Sequence, residues 1–394
     1  MLRDATTMRV LFRHGLLATC AVLAAACSGG GGTADAIDVA PDPCAPVGCA
    51  ISPCVQNELT SPAPVLAEDG SLATIGWSRR PILEYDPGRI PAELREQVKN
   101  WDFYSVQSPA FYLEVTVAEL SLFSFTGVTV LDYATGEKLS GWDLGDSTMV
   151  RLPTSPYAEA GWEHEDNRIS VTFDGDLRVL SFVLPGKFGG IDVSGEVRFE
   201  DGPSRESLAV AHPLPDPGTF FYEDKIFGMR TSGWVKAGTR EVAFDRQDAY
   251  GVLDWGRGVW PRESQWFWGA GYGTAGGHDV AFNLGAGLDA IQRASADGIL
   301  VDGVIHKIGS FAGSTWQMDP EDPMKPWVIR SPDGRVDLTL TPHTFAPTRT
   351  ELGDYYMHGL KVYGDYEGKL VLDDCTVVEI RGFAGFAEQS TQRW

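Results

Sequence analysis

The residues best equipped for chemistry cluster in one run, Asp254-Trp255-Gly256-Arg257-Gly258-Val259-Trp260-Pro261, followed by Gln265-Trp266-Phe267-Trp268. Four tryptophans are costly to expose, and the aspartate and arginine among them are costly to bury unless paired. The run is therefore expected to cross the wall of a core or cavity. Asp254 and Arg257, three apart across a glycine, carry two readings. In one they form a buried salt bridge that shapes a turn. In the other Asp254 handles a proton in an apolar cavity, where loss of solvent tunes a carboxyl for that task, with the nearby Arg257 working against it. Trp266 and Trp268 alternate along one strand and share a face, which suits the floor of a cavity for an apolar or isoprenoid-like ligand. Trp255 and Trp260 fill core or join that lining.

Other candidates are weaker. His306 and Lys307 follow a turn on a strand and point to opposite faces, so His306 joins Trp255, Arg257, Trp260, Trp266 and Trp268 as a candidate ligand contact. Glu163 and Glu165 share a strand face but lie beside Asp166-Asn167, a solvated loop rather than the opposed carboxylates of a glycosidase cleft. No histidine has metal-ligand spacing with a partner, so no metal and no cofactor is expected. There is no Gly-x-Ser-x-Gly elbow, phosphate loop or dinucleotide fingerprint.

The elements that must position these residues read as sheet. The 45 glycines, 24 prolines and 43 aromatic residues (12 Trp, 12 Tyr, 19 Phe) of the 394-residue chain supply turns and sheet-forming bulk. Phe111, Leu113, Val115 and Val117 alternate with Tyr112, Glu114, Thr116 and Ala118, and Leu122 to Leu131 continues as a second strand. Asp174-Gly175 turns a hairpin between Ile169–Phe173 and Leu177–Val179. Asp302-Gly303 and Ser331-Pro332-Asp333-Gly334 turn two more, and Glu367-Gly368 reads as a fourth turn. Pro91 to Asn100 is a short helix candidate. No series of long amphipathic helices interrupts the strands, which excludes a doubly wound fold. Two sets of antiparallel strands imply two barrels or sandwiches, with a boundary placed near Gly233: residues 66–233 and 234–394.

The N-terminus is a targeting segment. Arg3, Arg9 and Arg13 precede an apolar stretch, and Ala24-Ala25-Ala26-Cys27 closes it, so residues 1–26 resemble a bacterial lipoprotein signal with Cys27 as the lipidated residue. The start is Met1 or Met8. Cleavage near Ala26 without lipidation, or a retained anchor, are the alternatives. Residues 27–65, rich in Gly, Pro and Ala, form a flexible tether. It carries Cys44, Cys49 and Cys54, which with Cys375 make disulfide candidates in an oxidising compartment. Ser28 after Cys27 favours the outer membrane, facing the periplasm or the cell surface. The formal net charge of −22 argues against nucleic acid as a partner and against general affinity for anionic lipid surfaces.

Several pieces resemble a bacterial family of uncharacterised function, the DUF2804 family. They are Asp69-Gly70 with Gly76-Trp77-Ser78-Arg79-Arg80-Pro81, Trp101-Asp102-Phe103-Tyr104, the central tryptophan run, Val301-Asp302-Gly303, Ser331-Pro332-Asp333-Gly334-Arg335 and Gly385-Phe386-Ala387-Glu388. The resemblance spans about residues 66–390 and leaves out the tether. The family is distantly similar to two-domain lipocalin-like proteins that include carotenoid hydratases and tocopherol-cyclase-like proteins. It implies an all-β fold of two consecutive lipocalin-like (calycin-like) antiparallel barrels or strongly curved sheets with an apolar cavity. Three functions follow as expectations. The first is a membrane-tethered envelope protein that holds a hydrophobic small molecule or lipid in a barrel. The second is an enzyme acting on an unsaturated or isoprenoid-like substrate, with Asp254 handling the proton. The third is a glycan-binding or structural envelope module.

Overall fold

Period-two alternation of apolar residues builds almost every element of the chain. A computed structural model describes residues 56–121, 123–146, 149–186, 190–288, 294–309 and 314–393. Cys27, Cys44, Cys49 and Cys54 lie outside the described residues. The described helices are two short 3-10 turns, Pro87–Arg89 and Ala92–Gln97. The helix expected over 91–100 is therefore a single turn or two, and it gives way to a strand at Val98.

The first sheet has thirteen strands: β1 (Gly76–Ser78), β2 (Val98–Gln107), β3 (Phe111–Glu119), β4 (Phe123–Asp132), β5 (Lys138–Asp146), β6 (Ala160–His164), β7 (Asn167–Asp174), β8 (Leu177–Leu184), β9 (Val193–Glu200), β10 (Leu208–Pro213), β11 (Phe220–Ala237), β12 (Arg240–Phe244) and β13 (Tyr250–Val259). Its main path runs β5-β4-β3-β2-β13-β11-β9-β8-β7-β6. The sheet curls until its ends meet. Asp143 of β5 accepts a 2.6 Å hydrogen bond from Asn167 of β7 and lies 2.7 Å from His164 Nδ1 of β6.

The second sheet has nine strands: β14 (Glu263–Ala275), β15 (His278–Ala286), β16 (Gly298–Val301), β17 (Val304–Lys307), β18 (Thr315–Gln317), β19 (Trp327–Arg330), β20 (Val336–Leu352), β21 (Tyr355–Val371) and β22 (Val377–Arg393). Every pairing within the two sheets is antiparallel. The chain passes between sheets from Val259 to Glu263, whereas Gly233 lies inside β11 and pairs with both Val197 and Phe244.

The hairpins expected at Asp174-Gly175, Asp302-Gly303 and Ser331–Gly334 form. Glu367-Gly368 is not a turn. It is a bulge in the 17-residue β21, where the register against β22 slips, because β20 and β22 hold that strand on both sides. Cys375 lies in the turn between β21 and β22, with φ +66°.

Each sheet wraps its own packed core. Leu253, Trp255, Tyr222, Phe199 and Val115 belong to the first, and Phe282, Trp327, Leu338 and Tyr366 to the second. A third apolar layer, including Tyr112, Val252, Trp268, Tyr363 and Phe386, lies where the sheets face one another. Gly228 makes that approach possible. It has φ +68° at a bulge in β11, and a Cβ there would sit 2.5 Å from the Ala281 methyl of β15.

Candidate functional site

Alternation along β13 divides the central run between two environments. Leu253, Trp255, Arg257 and Val259 face the first sheet's own core side, while Val252 and Asp254 face the second sheet. Asp254 and Arg257, three residues apart on a strand, therefore point to opposite faces and do not pair. Arg257 is 1% exposed and is bound entirely by local structure. It donates to Asp102 Oδ1 at 2.8 Å and to the carbonyls of Trp101, Pro153 and Gly256, and its guanidinium lies 4.1 Å from the Trp255 ring. Gly256 between them has a steric reason: a Cβ there would sit 2.4 Å from the Trp101 indole. The Asp-Trp-Gly-Arg run is thus a structural clamp on one face and a site residue on the other.

Between the sheets lies a cavity of about 780 Å³. Its walls are aromatic, with Trp101, Phe103, Trp142, Phe221, Trp260, Trp266 and Trp268 among them. It does not occupy the interior of either sheet's curl, where the expected barrel cavity would be; those interiors are filled by the two packed cores. Asp254, Trp260, Trp266 and Trp268 line it. Trp255 and Arg257 sit behind the wall. His306 lies on β17 beside Asp373, its Nδ1 accepting from the Asp373 N–H at 3.3 Å, and is not part of the lining.

The ionisable groups of the cavity form two clusters around one indole. In the first, β11 supplies Glu223 and Lys225 and β13 supplies Asp254. All three are 6–7% exposed, so their charges must be answered by one another. Lys225 Nζ is 2.6 Å from Asp254 Oδ2 and 3.3 Å from Glu223 Oε2. Burial pulls the Lys225 ammonium down, but the Asp254 and Glu223 carboxylates outweigh it and hold the group above its ordinary value. Burial pushes the Glu223 carboxyl up to about 7, Lys225 opposing and Asp254 adding to the rise. His212 of β10 is 3.9 Å from Glu223 Oε1, and burial brings its imidazole down to about 4, so it stands neutral there at pH 7. Asp297, also on the wall, is raised by burial while Lys307 opposes.

The second cluster belongs to the other sheet. Lys361 of β21 lies 2.9 Å from Glu388 of β22 and 3.7 Å from Glu114 of β3. Burial lowers this lysine, and the two glutamates more than reverse the effect. Trp266 Nε1 donates to Glu388 Oε1 at 2.8 Å, and Trp268 Nε1 to Asn283 Oδ1 at 2.8 Å. The Trp268 ring has Lys225 4.6 Å and Lys361 5.4 Å from its centroid. One indole thus meets an ammonium from each sheet.

Glu223, Lys225, His212, Lys361 and Glu388 escaped the sequence analysis. The signal was present in Phe220-Phe221-Tyr222-Glu223-Asp224-Lys225-Ile226-Phe227, three charges inside an otherwise aromatic strand, a pattern that burial makes costly unless the charges are used or paired.

Two antiparallel sheets, one of them curled, each on its own core and joined across an aromatic layer, define a lipocalin-like all-β protein. The particular family is DUF2804, a domain of unknown function, to which this chain belongs through residues 56–394. Among solved structures, CghA in complex with Sch210972 is similar at 13% identity, covering 86% of this chain and 97% of that one, with a TM-score of 0.49. Kievitone hydratase from Nectria haematococca is similar at 10% identity, covering 75% of this chain and 88% of that one, with a TM-score of 0.40. No curated protein matches the chain.

Proposed function

We propose that the intersheet cavity binds a largely apolar small molecule and that Glu223 moves a proton on it. The observation that carries this reading is a buried carboxyl on an aromatic wall, 3.3 Å from an ammonium that Asp254 also holds, in a setting whose burial pushes that carboxyl up to about 7. A group poised near neutral pH is suited both to give and to take a proton. When Glu223 gives its proton to a double bond or carbonyl of the ligand, Lys225 stands 3.3 Å away to stabilise the carboxylate left behind. Positive character that develops on the ligand faces indole rings rather than water. The same carboxylate can then take a proton back from a neighbouring carbon, which completes an isomerisation or cyclisation without net consumption. Asp254, the residue favoured by sequence, becomes the positioning partner of Lys225 rather than the proton donor.

The test is to purify the protein without detergent, extract its cargo, and incubate that cargo in D2O with wild type and with Glu223→Gln. Deuterium enters the cargo with wild type and not with the variant if Glu223 carries the proton. Cargo that binds but exchanges with neither protein would make the cavity a carrier site, the reading that the apolar lining alone supports. We also propose that Cys27, lipidated, tethers this body to the outer membrane through the residues that precede Gln56, since Gln56 and Val65 are already buried in the fold; the Ala24-Ala25-Ala26-Cys27 sequence supports this reading.

A further inference from the structure

The charge balance of the cavity narrows its ligand. Among the described lining residues, five carry carboxyl groups, Glu114, Glu223, Asp254, Asp297 and Glu388, against three lysines, Lys138, Lys225 and Lys361, and no arginine. The two buried lysines are already engaged. Lys225 is held by Asp254 and Glu223, and Lys361 by Glu388 and Glu114. Both also lie over the Trp268 ring. Lys138 is exposed, where a single charge attracts an anion only weakly.

A ligand that brought a carboxylate or phosphate to the aromatic chamber would therefore lose its hydration and meet no uncommitted buried cation among the described lining residues, with the carboxylates of Glu114, Asp254 and Glu388 close by. A hydroxyl, ether or carbonyl has no such penalty. It finds hydrogen-bonding side chains on the wall, including Thr116, Thr129, Ser140, Ser390 and Gln392. We infer that the cavity selects electrically neutral ligands, hydrocarbon molecules that carry a hydroxyl, ether or carbonyl group, and rejects fatty acids and phosphorylated isoprenoids of the same shape. This inference rests on the reading of the cavity as a ligand site.

The experiment compares probes that differ only at the polar end. Tryptophan fluorescence of the full chain is titrated at pH 8 with retinol and retinoic acid, and in parallel with farnesol and farnesoic acid, the farnesyl pair being followed by displacement of retinol. The neutral member of each pair is expected to bind at least about tenfold more tightly, which corresponds to about 1.4 kcal/mol. Glu388→Gln removes one lining charge while keeping an oxygen to accept from Trp266. It is expected to shift the ratio of acid to alcohol affinity several-fold toward the acids. Acids that bind as tightly as alcohols to wild type overturn the charge selection while leaving the cavity a ligand site. Failure of all four to bind overturns both.

Discussion

Lys225 of β11 and Asp254 of β13 stand directly opposite one another in the sheet register, with Nζ and Oδ2 2.6 Å apart. Their strands place them on the face that looks into the cavity, so the pair is both a piece of the wall and the electrostatic setting of Glu223. Removing one member leaves a buried charge without its answer, at a cost of about 3–5 kcal/mol. Lys225→Met and Asp254→Asn are each expected to lose stability on that scale in denaturant unfolding. The double variant Lys225→Met/Asp254→Asn should lose much less than the sum of the two. Additive losses would show that the two side chains do not act as a pair.

Arg257 should behave differently. Its guanidinium fork serves Asp102 and three backbone carbonyls on the far face of β13. Arg257→Met leaves these acceptors buried and should cost about 3 kcal/mol or more, and Arg257→Lys should not rescue it, because an ammonium cannot reproduce the planar fork. Retinol affinity per folded molecule should stay unchanged. A stable Arg257→Met protein with weakened retinol binding would place Arg257 at the ligand instead.

Stability should depend on pH through Glu223 and Asp224. Burial raises each carboxyl to about 7, in Asp224 against the charges of Arg178 and Arg80, with Asp201 adding to the rise. The folded protein holds both protons more tightly than the unfolded chain does. Their contribution is complete below the ordinary carboxylate range and is lost as pH rises through about 7, by roughly 4 kcal/mol each. His212 acts with the opposite sign. Its folded value of about 4 lies below the ordinary 6.5, so the unfolded chain gains the proton first and stability falls as pH drops across that interval. Unfolding free energy measured from pH 5 to 8 should fall for wild type relative to Glu223→Gln and to Asp224→Asn. Parallel profiles for wild type and both variants would contradict the raised values.

The strands and most turns were legible because their signals are local. Alternation in 111–117, the Asp-Gly turns at 174 and 302, and the shared face of Trp266 and Trp268 all depend on neighbouring residues. The partner of Asp254 was not legible, because it comes from a strand 29 residues earlier and only the register selects it. Arg257 was misassigned to Asp254 by closeness in sequence, where the alternation of a strand forbids that contact. Glu367-Gly368 carries turn chemistry, yet pairing on both flanks turns it into a bulge. The cavity itself arises from how two sheets face one another, which no periodicity within either sheet encodes.

The proposed tether gives a separate prediction. With Cys27 lipidated, labelled fatty acid should be incorporated by wild type and not by Cys27→Ser, and the variant should move from the membrane to the soluble fraction. Unchanged fractionation and no label in wild type would contradict lipidation.

The most direct test of the central claim is native mass spectrometry of the chain from Pro43 onward, purified without detergent and then offered a mixture of neutral lipids and isoprenoid alcohols. A stoichiometric apolar adduct, present on purification or acquired from the mixture and released by denaturation, is expected. A clean unliganded mass with no uptake would contradict it and make the intersheet space a packing feature of a structural module.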